Sequence, residues 1–116
     1  MADDDFISDV AVRACEIAWG DIVDERVRQV EQEGFDEQHD NAYVNGELAM
    51  AAACYAMSAG LQVFDIAPDP AAFWPFAPSE FHPKNPRADL VRAAALIMAE
   101  IERRDRATLT PPEHQA

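Results

Sequence analysis

Six of the chain's eight prolines fall in one stretch, residues 61–86, at Pro68, Pro70, Pro75, Pro78, Pro83 and Pro86. Proline lacks an amide hydrogen and clashes with the carbonyl four residues back, so no long helix or central strand runs through such a segment. Five aromatics share the stretch: Phe64, Phe73, Trp74, Phe76 and Phe81. A connection of this length is seldom structureless inside a domain. Its rings have to be buried against something, so the segment is expected to pack across the other elements, with one short helical turn near 71–74.

The sequence on either side reads as helix. From Phe6 to about Glu33, Val10, Ala14, Ile17 and Ala18 form an apolar stripe continued by Ile22, Val23, Val27 and Val30. Gly20 marks a kink or a break there. Gly34 ends the helix, with Phe35 placed to fold back on its last turn. A second helix is expected from an Asp36 cap to Ala59, with Gly60 as its stop; Gly46 inside it also allows a restart. Its run from Ala49 to Ala59 is mostly small residues, which let neighbours approach closely, so this helix is expected at the centre. A third helix is predicted from Pro86 or Arg87 to Arg104, with Leu90, Val91, Ala94, Ile97, Met98 and Ile101 as its core face. Arg103, Arg104 and Arg106 suit its negative end. The chain therefore predicts one all-α domain over residues 1–106, a bundle of three or four helices crossed by the proline segment, with 107–116 as a flexible tail.

The net charge of −13 is unevenly spread. Residues 1–60 carry 14 acidic and 3 basic side chains, and residues 61–116 carry 8 and 6. Such a surface repels phosphate backbones, which argues against direct nucleic-acid binding, and attracts basic protein surfaces. The contact set expected on that basis is Asp3, Asp4, Asp5, Asp9, Asp21, Asp24, Glu31 and Glu37. No apolar run approaches 20 residues and the first residues are acidic. The expectation is a cytoplasmic protein with no membrane association. Cys15 and Cys54 are expected as buried thiols, too few and too far apart for a zinc site.

A polar cluster precedes the alanine run. On a helical wheel His39, Tyr43, Met50 and Met57 share a face, flanked by Asp40, Glu47 and Cys54. Asp40 and Glu47 stand about 10 Å apart along one helix, so a shared ion requires a break at Gly46. Glu25, Arg26, Gln29 and Glu33 form a complementary stripe on the first helix, and Asp89 and Glu100 share a face of the third. Two readings follow. In one, Arg26, Gln29, His39, Asp40, Tyr43 and Glu47 are a structural latch at a helix entrance. In the other, Glu25, His39, Asp40 and Glu47 hold Mg²⁺ or supply a base, with Arg26 on phosphate. His82 and His114 have no partner that spacing identifies.

Several motifs occur together: Glu25-Arg26 with Arg28-Gln29, Glu33-Gly34, His39-Asp40, Gly46-Glu47-Leu48-Ala49, Trp74-Pro75, and "ADLVRAAALIMAEIERRDR". In this order they resemble a widespread family of small phage and prophage proteins of unassigned activity, over residues 20–106. Phe35 and Phe76 stand where that family has tryptophan, and Asn41 where it has a second aspartate. The resemblance implies a phage accessory protein in a bacterial host. Proteins of that kind commonly bind and disable host systems, CRISPR effectors included. A fainter similarity, through Asp21/Asp24/Glu25 and Glu37/Asp40, is to MazG-like nucleotide pyrophosphohydrolases, which hold magnesium between acidic pairs on adjacent helices.

The expected function is thus an acidic, non-enzymatic host-defence inhibitor, anti-CRISPR-like, docked on a basic surface. The alternatives are a Mg²⁺-dependent pyrophosphohydrolase, or a nucleotide-sequestering protein that stacks bases on the loop aromatics and meets phosphate with Arg26 or Arg87.

Overall fold

A computed structural model describes residues 2–64 and 67–109, without the side chains of residues 2–7 and of Val63. Four helices form, α1 (Ala2–Glu33), α2 (Glu37–Asn41), α3 (Glu47–Gly60) and α4 (Pro86–Leu109), and no strand is present among the described residues. The chain is all-α, as its periodicity predicts. The proline segment holds short 3₁₀ turns at Leu61–Val63, Pro70–Phe73 and Pro78–Glu80. Pro70 and Pro78 begin two of these turns, where a missing amide hydrogen costs nothing. Trp74, Phe76 and Phe81 pack from this segment onto the core, while Phe64 and Phe73 are exposed.

Helix boundaries depart from expectation in three places. α1 runs unbroken through Gly20. The expected second helix is two elements: α2 is a single short piece capped by Asp36, and α3 starts afresh at Gly46, whose φ of 88° no helix interior accepts. α4 continues to Leu109, so residues 107–109 are helical, and the remainder of the expected tail, 110–116, lies outside the described residues. The stop after α1 is as expected. Gly34 takes φ 75° and the Phe35 amide donates to the Gln29 carbonyl at 2.9 Å, satisfying an orphan carbonyl of the last turn.

α4 is the organising element, since α1, α2 and α3 all pack on it. Its interface with α3 is made of Leu48, Ala51, Ala52 and Tyr55 against Ala93, Leu96 and Ala99. Methyl side chains on both surfaces bring the helix axes close and bury polar backbone with little side-chain bulk. The expected core face of α4 is overturned by this packing. Leu90, Ile97 and Ile101 are exposed, whereas Asp89, Ala93, Ala95, Leu96, Ala99 and Glu100 are buried. The stripe on α1 is likewise not core: Val10, Ile17, Val23, Val27 and Val30 are exposed.

α1 meets the bundle only through its C-terminal half. Every residue from Ser8 to Trp19 is exposed, and Ile22, Arg26 and Gln29 make the first deep contacts. A 32-residue helix is about 48 Å long, so its first half stands out from the bundle. The radius of gyration of 17.2 Å records this, against about 13 Å for a globule of this length.

Candidate functional site

Two polar assemblies lie at the junction of α1, α2 and α4. The first is a buried lock centred on Arg26. Its Nη2 donates to Asp40 Oδ2 at 3.0 Å and to Glu102 Oε2 at 3.1 Å, and its Nη1 donates to the Phe35 carbonyl at 2.9 Å. Asp40 is wholly buried and its other oxygen lies 3.0 Å from His39 Nδ1. A carboxylate only accepts, so that nitrogen carries the proton. The His39 ring stacks on Phe35 at 4.5 Å and takes the edge of Tyr43 at 4.8 Å. Two members of the expected latch lie elsewhere. Gln29 bonds Glu25, and Glu47 Oε1 accepts from the Asn45 amide at 2.7 Å, a local turn contact.

The second assembly is a cleft of about 360 Å³ on the far side of this lock. Its aromatic walls come from Phe35, His39 and Tyr43 around α2 and from Trp74 and Phe76 of the proline segment. These rings form a chain of edge contacts, Tyr43 to Phe76 at 5.0 Å and Phe76 to Trp74 at 5.5 Å. Trp74 Nε1 donates to the Ala77 carbonyl at 3.0 Å, which sets the indole against the cleft. The polar side is built by α1 and α4, with Glu25, Arg28, Gln29 and Arg92.

Arg28 donates twice to Glu25, at 2.7 Å each, and to Glu33 at 2.9 Å. Burial alone would raise the Glu25 carboxyl, but Arg28, Gln29 and Arg92 together hold it below its ordinary value. The Glu25 hydrogen bonds push the Arg28 guanidinium upward. Arg92 lies over the Tyr55 ring, 5.3 Å from its centre, and donates to the Tyr55 hydroxyl at 3.2 Å and to the His82 carbonyl. The cleft thus presents two fixed cations, each already matched to acceptors.

Gln29 is the exception. It is 2% exposed, and its Nε2 donates to Glu25 Oε2 at 3.2 Å, but its Oε1 is buried with no partner. Turning the amide over would set an oxygen against the Glu25 carboxylate, so Glu25 fixes which end points where. An unpaired buried amide oxygen costs of order 1–3 kcal/mol. A ligand donor is one way to recover that cost.

The remaining expected positions are scattered. Of the proposed Mg²⁺ set, Glu25 and His39 line the cleft, while Asp40 is spent on Arg26 and His39 and Glu47 is outside it. Among the described residues no three His, Cys, Asp or Glu side chains converge in a way that could hold a metal ion. Asp89 is buried beneath the Lys84 amide, 2.8 Å away, and Glu100 is bonded to Arg103 and Arg104. Arg26 faces its own carboxylates, and Arg87 pairs with Asp21 at 2.8 Å. Asp9, Asp24, Glu31 and Glu37 are exposed, whereas the side chains of Asp3, Asp4 and Asp5 lie outside the described residues. Cys15 is exposed, contrary to expectation, because α1 has no neighbour there; Cys54 is buried, and burial pushes its thiol up. His82 lies at the cleft; His114 is outside the described residues. No helix is long and apolar enough to cross a membrane among the described residues. Comparison of the chain with protein-family models, with curated proteins and with solved structures finds no match to any of them.

Proposed function

We propose that the protein is a non-enzymatic binder that sequesters a small planar ligand of nucleobase type, as a nucleoside or nucleotide, in the α1–α4 cleft. The observation that carries this reading is a cleft walled by aromatic rings and lined by Gln29, whose Oε1 is buried without a partner. Oε1 only accepts, so the ligand presents an N–H, as the exocyclic amines and ring imides of nucleobases do. Trp74, Phe76 and Tyr43 supply faces and edges for a flat ring, a contact worth about 1–3 kcal/mol per base. The volume falls in the range of small-molecule sites. Arg28 and Arg92 border the same space, which makes them the groups a ribose or phosphate would meet.

The chain has two tryptophans, Trp19 exposed at the middle of α1 and Trp74 in the cleft. In a Trp19→Phe protein, emission reports Trp74 alone. Titration with the common nucleosides and their 5′-phosphates is expected to quench it saturably for at least one base. Gln29→Leu is expected to abolish that response while leaving the helical circular dichroism intact. An emission indifferent to every base overturns the reading.

A second reading, the anti-CRISPR-like docking on a basic host surface, is supported by the exposure of Asp9, Asp24, Glu31 and Glu37. Complementary charge of this kind speeds encounter and weakens with ionic strength. Capture of one basic complex at low salt and its release at about 0.5 M salt is the expected result; capture unaffected by salt counts against it.

A further inference from the structure

Some of the exposed apolar residues of α1 and α4 share a face on each helix. At 100° per residue, Val12, Trp19, Val23, Val27 and Val30 lie within about 80° on α1, and Leu90, Ile97 and Ile101 within about 40° on α4. On α1 the cleft residues Glu25 and Arg28 lie across the wheel from that stripe. On α4 the cleft residues Arg92 and Leu96 lie across from theirs. Since α1 packs against α4, both stripes fall on one side of the two-helix layer, opposite the cleft and α3. They make one largely apolar face, with Glu16 standing among the α1 residues, while Val10 and Ile17 are exposed on the other side of α1.

We infer that this face is covered by a second copy of the same chain, with the outstanding half of each α1 lying antiparallel along the α1–α4 face of its partner. Three observations favour this occupant. The α1 stripe is symmetric about position 21: Trp19 and Val23 stand two residues to either side, and Val12 and Val30 nine. An antiparallel two-fold pairing therefore sets four of the five stripe residues against another member, and Val27 against Cys15, in an isologous contact. The stripe also continues past the bundle to Val12 and Trp19, where the chain's own fold offers nothing to pack on. Trp19 is 61% exposed, the kind of side chain that anchors an interface centre. Finally, all eight residues are open, from 36% exposed at Val23 to 61% at Trp19, so a partner copy has apolar surface to cover.

Charge provides the discriminating test. Two copies of net charge −13 repel, so added salt tightens this association, whereas salt loosens docking on a basic partner. Sedimentation of the full chain across protein concentration is expected to show a monomer–dimer equilibrium that shifts to dimer between about 0.05 and 0.5 M salt. Trp19→Glu and, separately, Val23→Glu are expected to weaken it about thirtyfold or more, with circular dichroism unchanged because both side chains are exposed in the monomer. A chain that stays monomeric at every salt concentration overturns the inference. So does a dimer indifferent to both substitutions, or a monomer whose α1 is bound instead by a basic partner and released by salt. None of these outcomes bears on the cleft, whose test is Trp74 emission.

Discussion

The two halves of α1 invert the ordinary relation between polarity and burial. Beyond Ile22, the helix buries Arg26 and Gln29 and leaves Val23, Val27 and Val30 exposed. From Ser8 to Trp19 it buries nothing, although Val10, Val12, Ile17 and Trp19 are as apolar as core residues elsewhere. In the C-terminal half, position is set by hydrogen bonds that reach α2 and α4. Between Ser8 and Trp19, Arg13 pairs with Asp9 at 3.7 Å, a contact that stays within the helix. Burial here follows the availability of a matching surface, and side-chain hydropathy ranks second. α4 repeats the lesson across its width, with alanines, Leu96 and two carboxylates inside and Leu90, Ile97 and Ile101 outside.

The sharpest way to break this comparison is to remove the polar anchor. Arg26→Met leaves Asp40 wholly buried beside His39 without its guanidinium, and breaking a buried pair in this way costs about 3–5 kcal/mol. Urea denaturation of the variant is expected to show that loss; a midpoint near that of the parent would mean the lock is dispensable.

Acid should act on the same half of the molecule. Arg103, against a lesser opposing effect of burial, holds Glu100 below the ordinary carboxylate value of 4.5, with Arg104 adding to it. For Glu25, burial is the largest influence and would raise the carboxyl, yet Arg28 and its neighbours bring the net below 4.5. The unfolded chain takes up these protons first. The stabilisation is therefore complete above pH 4.5 and is lost as pH falls through the lower folded values. Denaturation midpoints across the acid range are expected to fall more steeply for the parent than for Glu100→Gln, which starts lower at neutral pH. Equal slopes would remove Glu100 from the account.

The smallest effect belongs to the outstanding half. Val10→Ser is expected to change the stability of the monomer by no more than about 0.5 kcal/mol, since it deletes no contact. A larger loss, measured at protein concentrations too low for association, would show that this half packs on the bundle after all.

Much of the fold was legible in the sequence. Periodicity located α1 and α4, Gly34 and Gly60 marked stops, and the proline–aromatic segment packed across the helices with a turn at 70–73. Arg26 and Asp40 were readable as polar residues on helices expected to meet, but which carboxylates Arg26 bonds was not. What escaped was the choice of face on α1 and α4. Hydropathy ranks leucine and isoleucine above alanine, but close approach of two helices selects the smaller side chain, and that term depends on the partner surface. The cleft escaped for a different reason. Gln29, Tyr43, Trp74 and Arg92 come from separate parts of the chain and share no period or motif. An orphaned amide oxygen is a property of three-dimensional surroundings. The only signal available was the presence of Gln29 on a stripe otherwise made of charges.

The arrangement around α4 has a consequence for biosynthesis. α1 and α3 each pack on α4 more than on one another, and α4 is the last of the four described helices to leave the ribosome. Nearly all of the described chain must be synthesised before its first helix has a surface to settle on. A nascent chain halted before Pro86 would carry the alanine-rich α3 and the ring-bearing proline segment without the helix they cover, a state prone to aggregation or degradation. Completion of α4 is thus part of how the described residues reach their packed arrangement.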